Sequence, residues 1–253
     1  MPEFPKNPLA APSCLLPGTV AENCRYLQGR VREVGLTLFE TEACLGYTGR
    51  DLPPDLGRLG LFYHVHLPLD LAWEKGPVFV FERVKRLLHK VAYLEPDKFV
   101  LHPPARPRDL EKFARLWIEA GLQSRRLLME NIRGHDLLSV WPVIEEYDLG
   151  VCLDVGHILA YSQEGLLEVF SLWGRVGLVH VYGTEINGKH LGLDSLDEHG
   201  VQILRAILDN IPERTVLLVE LFDREKFDSS RDILSGLMQK WGMGLDYPDT
   251  GRE

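Results

Sequence analysis

The chain has few cysteines and no long apolar run. Its four cysteines, Cys14, Cys24, Cys44 and Cys152, form no Cys-x-x-Cys pair and are too few for a disulfide framework in 253 residues. No apolar stretch reaches the roughly 18 residues of a membrane span, and the first residues lack the basic flank and apolar run of a secretory signal. We therefore expect a protein of the reducing cytoplasm, with neither a leader nor a membrane span.

Positive charge is scarce as well. The 28 Lys and Arg residues stand against 37 Asp and Glu, which gives a formal net charge of -9. Proteins that bind nucleic acids neutralise several phosphates with Lys and Arg, and anionic membranes attract basic surfaces. We therefore expect a small-molecule substrate, with no nucleic acid and no membrane as partner.

Glycine-rich phosphate loops are missing, whereas apolar runs are frequent. The chain has no Gly-x-Gly-x-x-Gly motif and no P-loop, one of which a doubly wound nucleotide-binding sheet usually carries. Seven apolar runs instead predict parallel strands that are buried on both faces. They span residues 33–40, 61–66, 98–102, 126–132, 150–153, 177–182 and 216–221.

Helical spacing of apolar residues separates these runs. The predicted helices span residues 19–27, 81–94, 108–120, 137–147, 166–173 and 201–210. The segment 13–16 is the candidate for an eighth strand, and eight strand–helix units in about 250 residues match a (β/α)8 TIM barrel. We predict one TIM-barrel domain over residues 1–253, with flexible tails at 1–12 and 243–253.

Histidines and acidic residues recur near the ends of the predicted strands. Six of them are separated by 36, 28, 24, 26 and 40 residues, each about one strand–helix unit: His66, His102, Glu130, Asp154, His180 and Glu220. His157 closes the motif CLDVGH, which also contains Asp154. Because the carboxyl ends of barrel strands meet at the active-site end, we expect these side chains to converge there.

Such a convergence predicts a metal centre. Buried carboxylates cost several kcal/mol unless they are paired or metal-bound. Mixed histidine and carboxylate ligands suit zinc, manganese or iron. Two metals bridged by a carboxylate can clamp a phosphoryl group and activate water near neutral pH, so we expect two divalent ions.

Glu130 lies centrally in the strand order and is the candidate bridge. We take Glu130, Glu220 and His157 as the catalytic candidates. His64 lies on the same side of its strand as His66, so either could be a ligand; we favour His66 because it is nearer the strand end.

Several motifs resemble known families. LMEN, CLDVGH, LVHVYG with a downstream KHL, and LVELF resemble the xylose-isomerase-like barrels, a superfamily that includes AP endonuclease family 2 and many sugar isomerases and epimerases. Longer segments resemble, more narrowly, the cobamide-remodelling phosphodiesterases: LPGTVAENCRYLQGRVREVGLTLFE, VHLPLDL, MENI, VCLDVGHIL and VELFDREKFDSS.

The narrower resemblance implies a metal-dependent hydrolase that cuts the nucleotide-loop phosphoester of a cobamide, releasing a lower-base riboside and a cobinamide phosphate. The endonuclease members imply how the ligands divide between metals. One metal would use His66, His102 and Glu130, and a second would use Glu130, Asp154, His180 and Glu220. A third would have only His157 and His190, because Gly188 stands where the endonucleases supply an aspartate.

The main alternative is a metal-dependent sugar isomerase or epimerase. There a single metal, held by the four residues of the second set, polarises a carbonyl while a carboxylate moves a proton. His66 and His102 would be surplus in such an enzyme, which favours the hydrolase. A corrinoid-binding protein without turnover would carry the same groups, and the charge of -9 disfavours an abasic-site endonuclease.

Overall fold

Apolar segments of the chain form eight parallel strands that close into a barrel. The computed structural model describes residues 6–248. The barrel strands are β1 (Lys6–Pro12), β2 (Glu33–Thr37), β3 (Phe62–His66), β4 (Phe99–Leu101), β5 (Leu127–Glu130), β6 (Gly150–Asp154), β7 (Val176–Val181) and β10 (Val216–Val219). Strand β10 pairs in parallel with both β7 and β1, which closes the sheet. The predicted (β/α)8 TIM barrel is confirmed.

The remaining elements surround this barrel. The helices are α1 (Val20–Leu27), α2 (Thr41–Leu45), α3 (Pro77–Val91), α4 (Pro107–Glu119), α5 (Trp141–Glu146), α6 (Val155–Tyr161), α7 (Glu198–Asn210) and α8 (Arg224–Lys240). Three short strands complete the structure: β8 (Glu185–Ile186), β9 (Lys189–His190) and β11 (Gly244–Asp246). Within residues 6–248, no helix combines the length and the apolar character needed to cross a membrane.

Local chemistry sets where the helices begin. Thr19 and Glu22 form a reciprocal capping box at the start of α1. Proline occupies the first turn of α3 and α4, where its missing N–H costs nothing. The carboxylates of Asp197 and Asp223 accept hydrogen bonds from the first turns of α7 and α8.

The first strand differs from the prediction. Residues 6–12, which we expected in a flexible tail, form β1, and the predicted strand at 13–16 is a turn. Leu9, Ala10 and Ala11 are fully buried, and they lie between β10 and β2. Prolines at positions 8 and 12 and the small alanines hide the usual strand pattern, because they lower β propensity without preventing burial. Residues 1–5 lie outside the described part of the chain.

The C-terminal segment and one helix also differ. Within the predicted tail at 243–253, β11 pairs with β1, and Arg32 donates two hydrogen bonds to Asp246 at 3.1 and 3.0 Å. Residues 249–253 lie outside the described range. The predicted helix at 166–173 is instead a short 3-10 turn, Glu164–Glu168, followed by irregular chain.

Candidate metal centre

Strand geometry places the candidate ligands in one layer. An apolar plug fills the barrel interior: Ala10, Val100, Leu128, Cys152, Leu178, Val216 and Leu218. Side chains two residues apart on a strand point to the same side. Five of these plug residues are therefore followed, two positions later, by the inward-facing His102, Glu130, Asp154, His180 and Glu220. The layer of candidate ligands thus packs directly on buried apolar side chains.

His180 lies at the centre of this layer. Its Nδ1 is 3.4 Å from Glu130 Oε1, 3.6 Å from Asp154 Oδ2 and 3.3 Å from Glu220 Oε2. All four residues are at most 3% exposed. One imidazole therefore faces three carboxylates, and the negative groups outnumber the positive ones.

Glu130 presents its two carboxylate oxygens to different neighbours. Its Oε1 faces His180, while its Oε2 lies 3.0 Å from His66 Nε2 and 3.3 Å from His102 Nε2. His157 Nδ1 is 3.7 Å from Oε1. This two-sided contact is the geometry required of a carboxylate that bridges two metals.

Two acidic groups of the layer, Glu130 and Glu220, are held in their ionised form. Burial raises the pKa of the Glu130 carboxyl, but the imidazoles of His102 and His180 outweigh burial and hold that pKa well below its usual range. Burial likewise acts against Glu220, yet His180 and then His190 lower the pKa of Glu220 to about 2. Both carboxylates are therefore available as ligands at neutral pH.

Backbone carbonyls set the tautomers of three histidines. The Nδ1 atoms of His66, His157 and His190 lie 2.9, 2.9 and 2.8 Å from the carbonyl oxygens of Leu67, Asn131 and Glu220, respectively. A carbonyl oxygen only accepts, so each Nδ1 must carry the hydrogen. In the neutral ring the lone pair is then on Nε2, as in histidines that bind metals.

His64 lies below the ligand layer. Its Nδ1 is 2.6 Å from Glu33 Oε1, and both side chains are buried. Its ring packs against Gly35, where an added Cβ would lie 2.7 Å from His64 Nε2. The geometry therefore supports His66, rather than His64, as the candidate ligand.

A third group of donors forms beside the central layer. His157 Nε2 lies 3.1 Å from Glu185 Oε2, and the Tyr161 hydroxyl donates a hydrogen bond to the same carboxylate. Glu185 is the cross-strand partner of His190 in the β8–β9 hairpin. The expectation of only two protein ligands is corrected here, because Glu185 supplies a carboxylate from another position than Gly188.

Glu185 is the functional candidate that the sequence analysis missed. The signal was the Asn-Gly pair at 187–188, the strongest short-range indication of a two-residue hairpin turn. Asn187 and Gly188 have φ angles of 54° and 74°, as a type I′ turn requires. Such a turn places the second residue before it opposite the second residue after it, which are Glu185 and His190.

The donor set fits divalent metal ions. Three groups of ligand atoms lie within 4.8 Å of one another: His66, Glu130 and His180; Glu130, Asp154, His180 and Glu220; and His157, Glu185 and His190. Asp154 Oδ2 and both ring nitrogens of His180 are inaccessible to solvent and have no hydrogen-bond partner among the described residues. Buried polar atoms are rarely left unpaired, and a bound cation would satisfy these.

The donors open into a cavity of about 250 Å³. Its lining includes the ionisable side chains of His157 and Glu185. The same lining includes three apolar side chains, Phe39, Leu69 and Phe222, and the rings of Phe39 and Phe222 lie 5.6 and 5.4 Å from those of His66 and His190. Phe222 is 42% exposed, so the cavity offers a substrate both charged and apolar contacts.

Comparisons with known proteins identify the fold. No protein-family model and no curated protein matches the chain. A D-tagatose 3-epimerase-like protein matches with a TM-score of 0.73 and 17% identity over 92% of this chain and 97% of that one. A xylose isomerase domain protein from Planctomyces limnophilus matches with a TM-score of 0.60 and 14% identity, over 94% of this chain and 98% of that one.

A third structure, a protein from Thermus thermophilus soaked with ZnCl2, has 24% identity and a TM-score of 0.61, over 92% of this chain and 97% of that one. Identities this low establish architecture rather than activity. The chain has the fold of the xylose-isomerase-like TIM barrels.

Proposed function

We propose that the protein is a metal-dependent phosphodiesterase that hydrolyses the nucleotide-loop phosphoester of a cobamide. The observation that carries this proposal is the sharing of Glu130 between the His66–His102 side and the His180 side of the centre. Phosphodiester hydrolysis requires charge stabilisation at both the attacking and the leaving oxygen, which adjacent metal sites provide. A one-metal isomerase would leave His66, His102 and Glu185 without a role.

The side chains divide the work between metal binding and the orientation of water. Metal ions bound here would supply positive charge to the phosphoryl oxygens and promote the ionisation of water. Glu130 would fix the spacing of the two central positions. Glu220 Oε2 lies 3.3 Å from His180 Nδ1 and 3.6 Å from His190 Nδ1, so its ionised carboxylate would help to hold the metal on that side and could orient the attacking water by accepting a hydrogen bond from it.

His157 belongs to the opposite, leaving-group side of this arrangement. Its Nε2 lies 3.1 Å from Glu185 Oε2, and both side chains line the cavity. Burial lowers the pKa of His157, but Asp154 and Glu130 outweigh burial and raise that pKa above its ordinary value. These carboxylates therefore favour a positive charge at His157, whether a proton or a metal ion supplies it, and such a charge suits a departing oxyanion.

The choice of a cobamide as the substrate is based on the sequence resemblance. The segments VHLPLDL and VELFDREKFDSS contribute Leu69 and Phe222 to the apolar part of the cavity lining. A cobamide combines one phosphodiester with large apolar and neutral parts. It therefore matches a cavity that is lined by both charged and apolar side chains.

A sugar epimerase or isomerase is the second candidate, and the similar solved structures favour it. One of them is named as D-tagatose 3-epimerase-like, and another as a xylose isomerase domain protein. Glu130, Asp154, His180 and Glu220 form one compact group of donors, which suffices to hold the single metal of such an enzyme. The two reactions differ in whether phosphorus chemistry occurs at all.

One experiment separates the two candidates. The protein would be loaded in parallel with zinc, manganese or iron and incubated with a cobamide and, separately, with a set of ketohexoses. We expect a riboside of the lower base and a cobinamide phosphate by mass spectrometry, with the sugars unchanged. Interconversion of a ketohexose with an intact cobamide would overturn the proposal and establish the epimerase. Protein treated with a chelator serves as the blank for both assays.

A further inference from the structure

A second cavity, of about 230 Å³, lies at the carboxyl ends of β1 and β2. Its lining includes Ser13 and Cys14, which follow β1, and Thr37, which ends β2. Thr37 is the register partner of His66, and Phe39, two residues further on, lines the metal cavity. The end of β2 therefore forms a wall common to both cavities.

The electrostatics agree with this placement. Burial raises the pKa of the Cys14 thiol, and the negative charge of Glu220 in the metal centre raises it further. The two cavities are thus close enough for a charge in one to act on a group in the other. This proximity makes the second cavity the candidate site for one arm of a substrate that is centred on the metal ligands.

Hydroxyl groups dominate the chemistry of the second cavity. Ser13 Oγ lies 3.1 Å from Thr37 Oγ1 and accepts a hydrogen bond from Thr37 N at 3.1 Å. Each hydroxyl can donate once and accept twice, so this pair retains free capacity toward a ligand. Thr19 and Tyr47 add two further hydroxyl-bearing side chains to the lining.

The same lining disfavours anions. The described residues that line the cavity include no Lys, Arg or His, and they include one carboxylate, Asp51. Asp51 accepts hydrogen bonds from Thr48 N and Thr48 Oγ1 at 2.9 and 3.0 Å. A phosphate would meet negative charge here without a compensating cation, whereas a neutral group with hydroxyls would find matching donors and acceptors.

The loop that covers this cavity is held in place before any ligand binds. Asn23 is fully buried, and its side chain accepts a hydrogen bond from Leu16 N at 2.7 Å. It also donates to the carbonyl oxygens of Leu16 and Thr19, each at 3.1 Å. A loop fixed by three hydrogen bonds loses little entropy on binding, which is the property expected of a recognition wall.

We propose that this cavity binds a neutral, hydroxyl-bearing sugar ring of the substrate, attached directly to the phosphoester that is cleaved. The inference rests on the proposed phosphodiesterase activity and identifies which arm of the diester is recognised. The ionic cavity takes the phosphoryl group, and the hydroxyl-lined cavity takes the ring.

Two chromogenic diesters test this assignment. Thymidine 5′-(4-nitrophenyl phosphate) carries a sugar ring next to phosphorus, whereas bis(4-nitrophenyl) phosphate carries none. The metal-loaded protein should hydrolyse both and show the lower KM for the thymidine ester. Thr37→Val keeps the size and β-branching of the side chain and removes only the hydroxyl. It should raise KM for the thymidine ester about tenfold, as expected for one lost hydrogen bond, and leave KM for the other diester unchanged.

Thr215→Val is the matched control, because Thr215 is buried near the opposite end of the barrel and its hydroxyl donates to Pro212 O. It should leave both KM values unchanged. A Thr37→Val variant with the wild-type melting temperature that affects both diesters equally, or neither, would overturn the sugar subsite. If a preparation that hydrolyses a cobamide hydrolyses neither diester, the sugar subsite alone is overturned. If it hydrolyses no cobamide either, the phosphodiesterase proposal falls, and this inference falls with it.

Discussion

The proposed bridging role of Glu130 requires negative charge on both of its carboxylate oxygens. A glutamine has the same length, but its amide nitrogen would point hydrogens at either His180 or the His66 and His102 pair. We expect Glu130→Gln to reduce turnover by more than about a hundredfold, since even residues behind the ligands of metal sites cost 10–100-fold. Circular dichroism should show an unchanged fold, because the pairing of β5 with β4 and β6 consists of backbone hydrogen bonds that this side chain does not make. Near-normal turnover would contradict the bridging role.

Glu185 tests whether the third group of donors holds its own ion. Glu185→Gln and His190→Ala should each lower the metal content by about one ion per chain, while the central ions remain. His180→Ala should lower the content further and remove activity, because His180 contacts three carboxylates. Elemental analysis measures these contents.

Glu164→Gln is the matched control for Glu185→Gln, because within residues 6–248 the carboxylate of Glu164 forms an ion pair only with the exposed His199, at 3.4 Å. It should leave the metal content unchanged. If Glu185→Gln also binds the full complement of metal, Glu185 is not a ligand.

At the residue scale, chain position alone revealed most of the candidates. His102, Glu130, Asp154, His180 and Glu220 each stand two positions after a buried plug residue, so strand alternation brings them together. Glu185 has no such marker, since it lies outside the barrel strands, in the β8–β9 hairpin that follows β7. Its place depends on the pairing of a hairpin whose strands contain two residues each, too short to show periodicity.

The β8–β9 hairpin is the least supported element of the site. Its two strands share one small ladder, extended by hydrogen bonds between Gly183 N and Leu191 O and between Leu191 N and Thr184 O. Glu185 and His190 lie on it, whereas His157 lies on α6. An ion held by all three would therefore tie the hairpin to the barrel.

We expect zinc to slow amide hydrogen exchange across residues 184–191, because bound metal raises the free energy of local opening. Helix α7, which supplies no donor to the three groups, should exchange at the same rate with and without metal and serves as the internal reference. Equal exchange of the hairpin in both states would show that it does not close over an ion.

At the element scale, the errors have a common cause. Strand β1 was missed because Pro8, Pro12 and two alanines carry little strand propensity, although the barrel buries them. The helix predicted at 166–173 is wrong because Leu166 and Leu172 are buried from a 3-10 turn and from irregular chain, while Phe170 between them is 98% exposed. In both segments tertiary packing decided the conformation, and local pattern did not.

Metal binding should govern the stability of the whole barrel. Negative groups exceed positive ones in the buried layer around His180, and ions that bind only the native state stabilise it by mass action. Metal at about a thousand times its Kd adds roughly 4 kcal/mol, which corresponds to a rise in Tm of at least about 8 °C for a chain of this size. Calorimetry of chelated and zinc-loaded protein measures this shift. An unchanged Tm would exclude tight binding, and Glu130→Gln should show a smaller rise than the wild type.

The distribution of charge over the molecule bears on the size of the substrate. The net charge is -9, and the described residues that line the metal cavity include no Lys or Arg. A DNA-binding enzyme would need several such contacts along the backbone, and its affinity would fall steeply with salt. A compact diester needs only the candidate metal ligands at the centre and the residues that line the two cavities.

We therefore expect hydrolysis of a cobamide to change less than about twofold between about 50 and 200 mM NaCl, since few exposed ionic contacts are involved. Incision of a duplex that contains an abasic site should be negligible over the same range, because the acidic surface repels the phosphate backbone. Both substrates would be assayed with one metal-loaded preparation, and products followed by mass and by gel. Efficient incision that weakens steeply with salt would show that a local basic surface outweighs the net charge, and the preference for a small substrate would then be wrong.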